Sequence, residues 1–302
     1  MSVTVRAPAK INLHLGVGAP RPDGFHPLMT VYHAVSLYDD VTVDAADSWS
    51  LTVEGVGPVD LSGVPTDDTN LVVRAGRALA GHHGLDRAAR IHIRKGIPVA
   101  AGLAGGSADA AATLVALDRL WQAGTSDADL FALAAGLGSD VPFALVGGNA
   151  LGTGRGEVVE QLPGAEVPRW WVVVTPDEGL PTPSVYRRFD ELTPDAPAQP
   201  RAPHRLVEFL RDPAEAVAPL LHNDLQQAAI DLRPDLADLL AAGEAAGALR
   251  GLVSVSGPTC VFLCGDAETA RAAAGVPTGD DGEQRVRVVT GAVAGAHVVA
   301  YS

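Results

Sequence analysis

Ile97-Pro-Val-Ala-Ala-Gly-Leu-Ala-Gly-Gly-Ser-Ala-Asp-Ala-Ala111 is the stretch on which the reading of this chain turns. Gly102, Gly105 and Gly106, with the small residues Ala104, Ser107 and Ala108, run straight into an apolar helical stripe formed by Ala110, Leu114, Leu117 and Trp121. Small residues let a backbone approach a phosphate closely. A helix N-terminus adds unpaired N–H groups and the positive end of a dipole. The pattern is not G-x-x-x-x-G-K-[ST], which needs a lysine, and it is not G-x-G-x-x-G. Taken alone, it fits a phosphate seat and equally a flexible loop into a helix capped by Ser107.

Upstream, Ser2–Val17 reads as a strand in which Lys10, Asn12 and His14 alternate with Ile11, Leu13 and Leu15. The polar side of that strand is either a solvated face or the wall of a pocket. The loop Gly18–Pro27 carries the turn signal Asp23-Gly24, then Phe25-His26, a ring pair able to stack on or hydrogen-bond a flat heterocycle. Strands are expected at Val31–Leu37, Asp40–Val43, Ser50–Val53 and Ala89–Ile93, the last with a basic end at Arg94-Lys95. Asn70–His82 has helical periodicity.

Downstream, Gly124 stops the first helix and Ser126 opens a second with Asp129 at capping-box spacing, running to about Leu137. In Gly138-Ser-Asp-Val-Pro142, Asp140 is either the cap of a helix with an early proline or a general base. Trp170–Thr175 reads as a buried strand, Thr193–Pro203 as an exposed Pro- and Ala-rich connection, and Asn223–Leu240 as helical. A small-residue turn at Ser254–Thr259 precedes the apolar run Cys260–Cys264, and strands at Arg285–Val289 and Ala296–Val299 close the chain. Strands and helices do not alternate as regular βαβ units. The expected class is therefore α+β in two lobes, divided near Gly156–Pro168 into residues 1–160 and 161–302.

The 302 residues are 47% hydrophobic and 19% charged, with a formal net charge of −14. Such an acidic chain is poorly suited to nucleic acid or to an anionic membrane. A nucleotide would have to be held by backbone N–H groups and a few placed cations. Cys260 and Cys264 lack the companion ligands of a zinc site and read as buried thiols. With no signal-type run in Met1–Lys10 and no membrane-length apolar stretch, a cytoplasmic location is expected.

Three segments taken together resemble the GHMP kinases. These are Ala7-Pro-Ala-Lys-Ile-Asn-Leu13, Pro98–Ala111 and Ser254-Val-Ser-Gly-Pro-Thr-Cys260, in the family's order. Arg21-Pro-Asp-Gly-Phe-His26 and Leu137-Gly-Ser-Asp-Val-Pro142 are similar to the branch that acts on a cytidine diphosphate-linked methylerythritol. The resemblance implies an N-terminal lobe like ribosomal protein S5 and a C-terminal α/β sandwich lobe. It implies transfer of the γ-phosphoryl group of ATP, supplied with Mg²⁺, to the 2-hydroxyl of 4-diphosphocytidyl-2-C-methyl-D-erythritol. That reaction belongs to the non-mevalonate route to isoprenoid precursors.

Carried over residue by residue, the resemblance makes Asp140 the base and Lys10 its companion. Pro98, Ala100, Ala101, Gly102, Leu103, Ala104, Gly105, Gly106, Ser107 and Ala108 become the ATP seat, with Ser107 a possible metal ligand. Asn12, Phe25 and His26, with Thr182 and Tyr186 of the second lobe, become acceptor contacts. Ala104 stands where many members have glycine and Ala108 where many have serine. No tightly bound cofactor, nucleic acid or membrane partner is implied, and the expected state is a monomer or weak homodimer. The alternatives are another kinase of the family, acting on mevalonate, homoserine or a sugar, and a GHMP-fold sensor that binds ligand without turnover.

Overall fold

Two long strands, Ser2–Val17 and Leu28–Ala46, organise the computed structural model, which describes residues 2–176, 179–275 and 286–301. The chain forms two compact units, each assembled from separated segments. The first comprises Met1–Lys10, Leu37–Gly147 and Ala294–Ser302, and the second Ile11–Ser36 and Gly148–Val293. The division into 1–160 and 161–302 does not coincide with these units. Each long strand pairs with different partners along its length, so its two ends belong to different bodies.

In the first unit the start of Ser2–Val17 pairs antiparallel with His297–Tyr301. The end of Leu28–Ala46 pairs antiparallel with Ala88–Lys95, and Ser50–Gly55 adds parallel to the latter. Alternation places Val41, Val43, Ala89, Ile91 and Ile93 inside, each fully buried. Helix Leu71–His82 covers them, and Asn70 caps it by accepting from the Val72 amide. That helix packs on Gly105–Trp121, whose Ala110, Leu114 and Leu117 are fully buried and whose Trp121 is 7% exposed. The approach is close at Gly76, where a Cβ would lie 2.9 Å from Leu117 Cδ1 on that helix and 2.4 Å from the Trp49 ring. Helix Asp127–Leu137 starts from its Ser126 cap as expected.

In the second unit Arg169–Val174 runs antiparallel between Cys260–Cys264 and Val286–Gly291, and Arg250–Val253 extends the cysteine strand. Helices Thr182–Leu192, Gln226–Leu232, Asp235–Ala245 and Ala267–Ala273 belong to the same unit. Val185, Phe189, Leu236, Leu240 and Phe262 share one apolar core with both cysteines. The start of Leu28–Ala46 pairs with Asn149–Gly154, and the end of Ser2–Val17 pairs with His222–Asn223. His33 is fully buried: its ring lies 2.6 Å from the Asn149 side-chain oxygen and accepts from the Trp171 indole at 3.1 Å.

Some expected boundaries differ. The runs Val31–Leu37 and Asp40–Val43 are one strand, because the intervening Asp39 is buried with its carboxylate satisfied. The helical region Asn223–Leu240 is two helices, separated at Arg233-Pro234, since proline lacks the amide that would continue the first. The final strands are Val286–Gly291 and His297–Tyr301, and Arg285 lies outside the described residues.

Candidate active site

The glycine-rich loop leads from the end of Ala88–Lys95 into helix Gly105–Trp121. Its backbone enters the left-handed region at Ala100 (φ 55°), Gly102 (φ 71°) and Ala104 (φ 59°). Glycine does this freely, whereas each alanine there costs about 1–2 kcal/mol. Strain of this kind persists only where the surroundings over-determine the backbone. Ala101 and Leu103 are buried and anchor the loop. The helix cap is Ala104, which has no side-chain acceptor, and Ser107 lies inside the first turn. The reading of Ser107 as the cap is therefore corrected. A Cβ built at Gly106 meets nothing within 4 Å, so the space beside that residue is open. An uncapped first turn beside open space is the arrangement an anion needs.

Lys10 is tied to this loop by its own backbone, its N–H donating to the Leu103 carbonyl at 3.1 Å. The Lys10 side chain is buried, which removes the solvated-face reading, and its Nζ lies 3.7 Å from Asp140 Oδ2. Asp140 occupies the cap position of the short helix Val141–Val146 but makes no side-chain cap bond. Pro142 supplies the early proline the sequence promised, yet the carboxylate serves Lys10 and not the helix. The Asp140 side chain remains 30% exposed. Burial pulls the Lys10 pKa below the ordinary lysine value, and the neighbouring Asp140 charge offsets only part of that.

A second charged group lies beneath the loop. Lys95 donates to Asp39 and, at 2.7 Å, to Asp109 Oδ2. Asp39 Oδ1 accepts the Gly96 and Ile97 amides at 2.7 and 2.9 Å. Asp39, Lys95 and Asp109 are 0%, 2% and 4% exposed. Burial would lower the Lys95 pKa, but Asp109 and Asp39 outweigh it and hold it above the ordinary value. Burial, and then the Asp39 charge, push Asp109 well up against the opposing pull of Lys95. Sequence reading missed this group. Its members are far apart in the chain, and the only available signal was the basic strand end at Arg94-Lys95.

The expected acceptor contacts all lie in the second unit. Asn12 donates to Thr30 Oγ1 at 2.6 Å, and Thr30 donates on to the His14 carbonyl at 2.7 Å. His26 stands 4.9 Å from the Tyr186 ring, centroid to centroid, and 2.8 Å from Asp190 Oδ1. Phe25 is 52% exposed, with the Arg155 guanidinium 5.3 Å from its ring centre. Thr182 opens helix Thr182–Leu192, and its hydroxyl lies 2.9 Å from that of Ser256 in the small-residue turn. His26 with Tyr186, and Thr182 with Ser256, are thus brought together from distant parts of the chain. Asp190 and Arg155 were not foreseen. Asp190 follows Tyr186 by four residues on one helix face, the one spacing that could have indicated it.

Among the described residues no group of three or more His, Cys, Asp or Glu side chains could hold a metal ion, and no helix is long and apolar enough to cross a membrane. The Ser107 hydroxyl lies in the first turn of helix Gly105–Trp121.

The pattern of the GHMP kinases N terminal domain matches residues 70–148, and that of the GHMP kinases C terminal domain matches residues 206–276. A 4-diphosphocytidyl-2-C-methyl-D-erythritol kinase of Nocardioides sp. is 60% identical over 299 residues, covering 99% of this chain and 100% of the relative. The protein of the same name from Streptomyces coelicolor is 51% identical over 304 residues, again covering 99% and 100%. A crystal structure of 4-(cytidine 5'-diphospho)-2C-methyl-D-erythritol kinase superposes with a TM-score of 0.73 at 34% identity, over 96% of this chain and 98% of that one. Homoserine kinase from Cytophaga hutchinsonii, at 19% identity and a TM-score of 0.72 over 99% and 97%, shares the fold. With relatives this similar along nearly its whole length, the chain belongs to the GHMP kinases and, within them, to the 4-diphosphocytidyl-2-C-methyl-D-erythritol kinase family.

Proposed function

We propose that this protein transfers the γ-phosphoryl group of ATP to the 2-hydroxyl of 4-diphosphocytidyl-2-C-methyl-D-erythritol, giving the 2-phosphate and ADP in the non-mevalonate route to isoprenoid precursors. The observation that carries the reading is Lys10. Its amide is bonded to the phosphate loop, and its buried ammonium lies 3.7 Å from a carboxylate that does not cap its helix. The acceptor hydroxyl is a tertiary alcohol and a poor nucleophile at neutral pH. Asp140 takes its proton as the oxygen–phosphorus bond forms and the bond from the γ-phosphorus to the β,γ-bridging oxygen breaks. General-base help of this kind supplies roughly 10²–10⁴-fold. Lys10 balances the Asp140 charge and faces the negative charge that develops on the attacking oxygen.

The Gly102–Ser107 stretch holds the phosphates through backbone N–H groups, the Ala108 amide being taken by the Ala104 carbonyl. Because the transition state is loose, positioning and charge stabilisation carry much of the rate. Magnesium, when bound with the nucleotide, neutralises phosphate charge. In the second unit, Phe25, His26 and Tyr186 offer rings to the cytosine, while Asn12 and Thr182 offer hydrogen bonds to the acceptor. A coupled ADP-release assay tests the reading with this acceptor against mevalonate and homoserine. Turnover confined to the cytidylyl acceptor is expected. Preference for mevalonate or homoserine moves the protein to another branch, and ATP binding without ADP release makes it a sensor.

A further inference from the structure

The phosphate loop is strained at Ala100 and Ala104, and something has to hold its two ends. At the leading end, Asp39 Oδ1 takes the amides of Gly96 and Ile97. At the trailing end, Asp109 sits one turn inside helix Gly105–Trp121. One ammonium joins the two carboxylates: Lys95 donates to Asp39 and to Asp109. It also lies directly under the helix start, since a Cβ at Gly105 would come within 3.1 Å of Lys95 Nζ. A side chain at Gly105 would press on both Lys95 and Ile97.

The cluster is poorly designed for stability alone. Two carboxylates share one ammonium in a buried setting, and Asp109 Oδ1 has no hydrogen-bond partner. A buried ion group is commonly neutral or unfavourable compared with apolar packing of the same volume, whereas it fixes geometry through directed bonds. Its hydrogen bonds join its members to one another and to the Gly96 and Ile97 amides, so the group touches both ends of one loop.

We infer that Lys95, with Asp39 and Asp109, is a positioning group that clips the two ends of the phosphate loop together and so sets the spacing of the amides that receive ATP. The inference rests on the reading of Gly102–Ala108 as the ATP seat. It assigns no contact with substrate to any of the three residues. Their effect reaches ATP through the loop backbone.

The test is steady-state kinetics on the full chain with each substrate varied in turn. Asp109→Leu keeps the branched shape with somewhat larger methyl groups, leaves Lys95 and Asp39 as a balanced pair, and releases the trailing end. It is expected to raise the KM for ATP by ~10-fold, the worth of a hydrogen bond to a charged group, with the acceptor KM changing by less than about twofold. Asp109→Asn still offers Lys95 an oxygen and should recover most of that loss. Asp39→Asn tests the leading end independently and should raise the ATP KM severalfold. Equal ATP KM values for Asp109→Leu and wild type, equal effects of the Leu and Asn variants, or parallel rises in both KM values overturn the clip. Failure of the wild type to use ATP overturns instead the reading of the loop on which the clip rests.

Discussion

Two lysines of the first unit sit beside carboxylates, and they differ in every respect that matters. Lys95 is enclosed by two aspartates, bonds both within hydrogen-bonding distance, and is held more basic than an ordinary lysine. Lys10 lies 3.7 Å from the Asp140 carboxylate, is left less basic by burial, and faces an Asp140 that is still 30% exposed. A closed group of this kind resists rearrangement. An open pair keeps a carboxylate surface for a third party. Under the proposed mechanism and the inferred clip, the contrast separates a device for holding backbone from a device for moving a proton, although both are built from the same two residue types.

The largest effect that would break this contrast is on turnover. Asp140→Asn should lower kcat by roughly 10²–10⁴-fold while ATP and acceptor still bind, as read by single-turnover kinetics and equilibrium titration. Normal turnover would leave Asp140 as a bystander. Next in size is stability. Lys95→Met strands two buried carboxylates and should cost roughly 3–5 kcal/mol in chemical denaturation. Lys10→Met removes an ammonium that burial already disfavours and should cost clearly less. Equal losses would erase the distinction between the two lysines.

The smallest effect is on the alkaline side of the pH profile. In the proposed mechanism the active form of Lys10 is the ammonium, whose folded pKa lies below the ordinary value of 10.5. As pH rises through that lowered value the charge is lost, so kcat should begin to fall before pH reaches 10.5. Lys10→Arg, which keeps its charge to higher pH, should lack this limb even if its kcat is lower throughout. A limb that persists in the arginine variant belongs to another group.

Much of the fold was legible from the sequence because local chemistry controls it. Asn70 and Ser126 open helices where capping residues precede helical periodicity, and Lys10–Leu15 alternates as a strand does. The glycine-rich loop was legible as a turn into a helix because small residues before a helix are a local pattern. Asp39 was not, since an aspartate between apolar runs reads as an interruption until its partners are known. Those partners, Lys95 and the amides of Gly96 and Ile97, are more than fifty residues away. Asp140 was read correctly as standing at a helix start, but only the geometry shows that its side chain turns to Lys10 and leaves the helix uncapped. The pairing of His26 with Tyr186 likewise depends on a contact between residues 26 and 186 that no spacing encodes.

The two cysteines have a practical consequence. Cys260 and Cys264 are the chain's entire thiol content, both are fully buried, and both belong to the second unit. Burial raises their pKa values to about 12 and about 11, so in the folded state they offer almost no thiolate. An alkylating reagent therefore reacts only when the sheet around Cys260–Cys264 opens. The rate of labelling is a native clock for the opening of that unit alone, and it is silent about the unit that carries the phosphate loop.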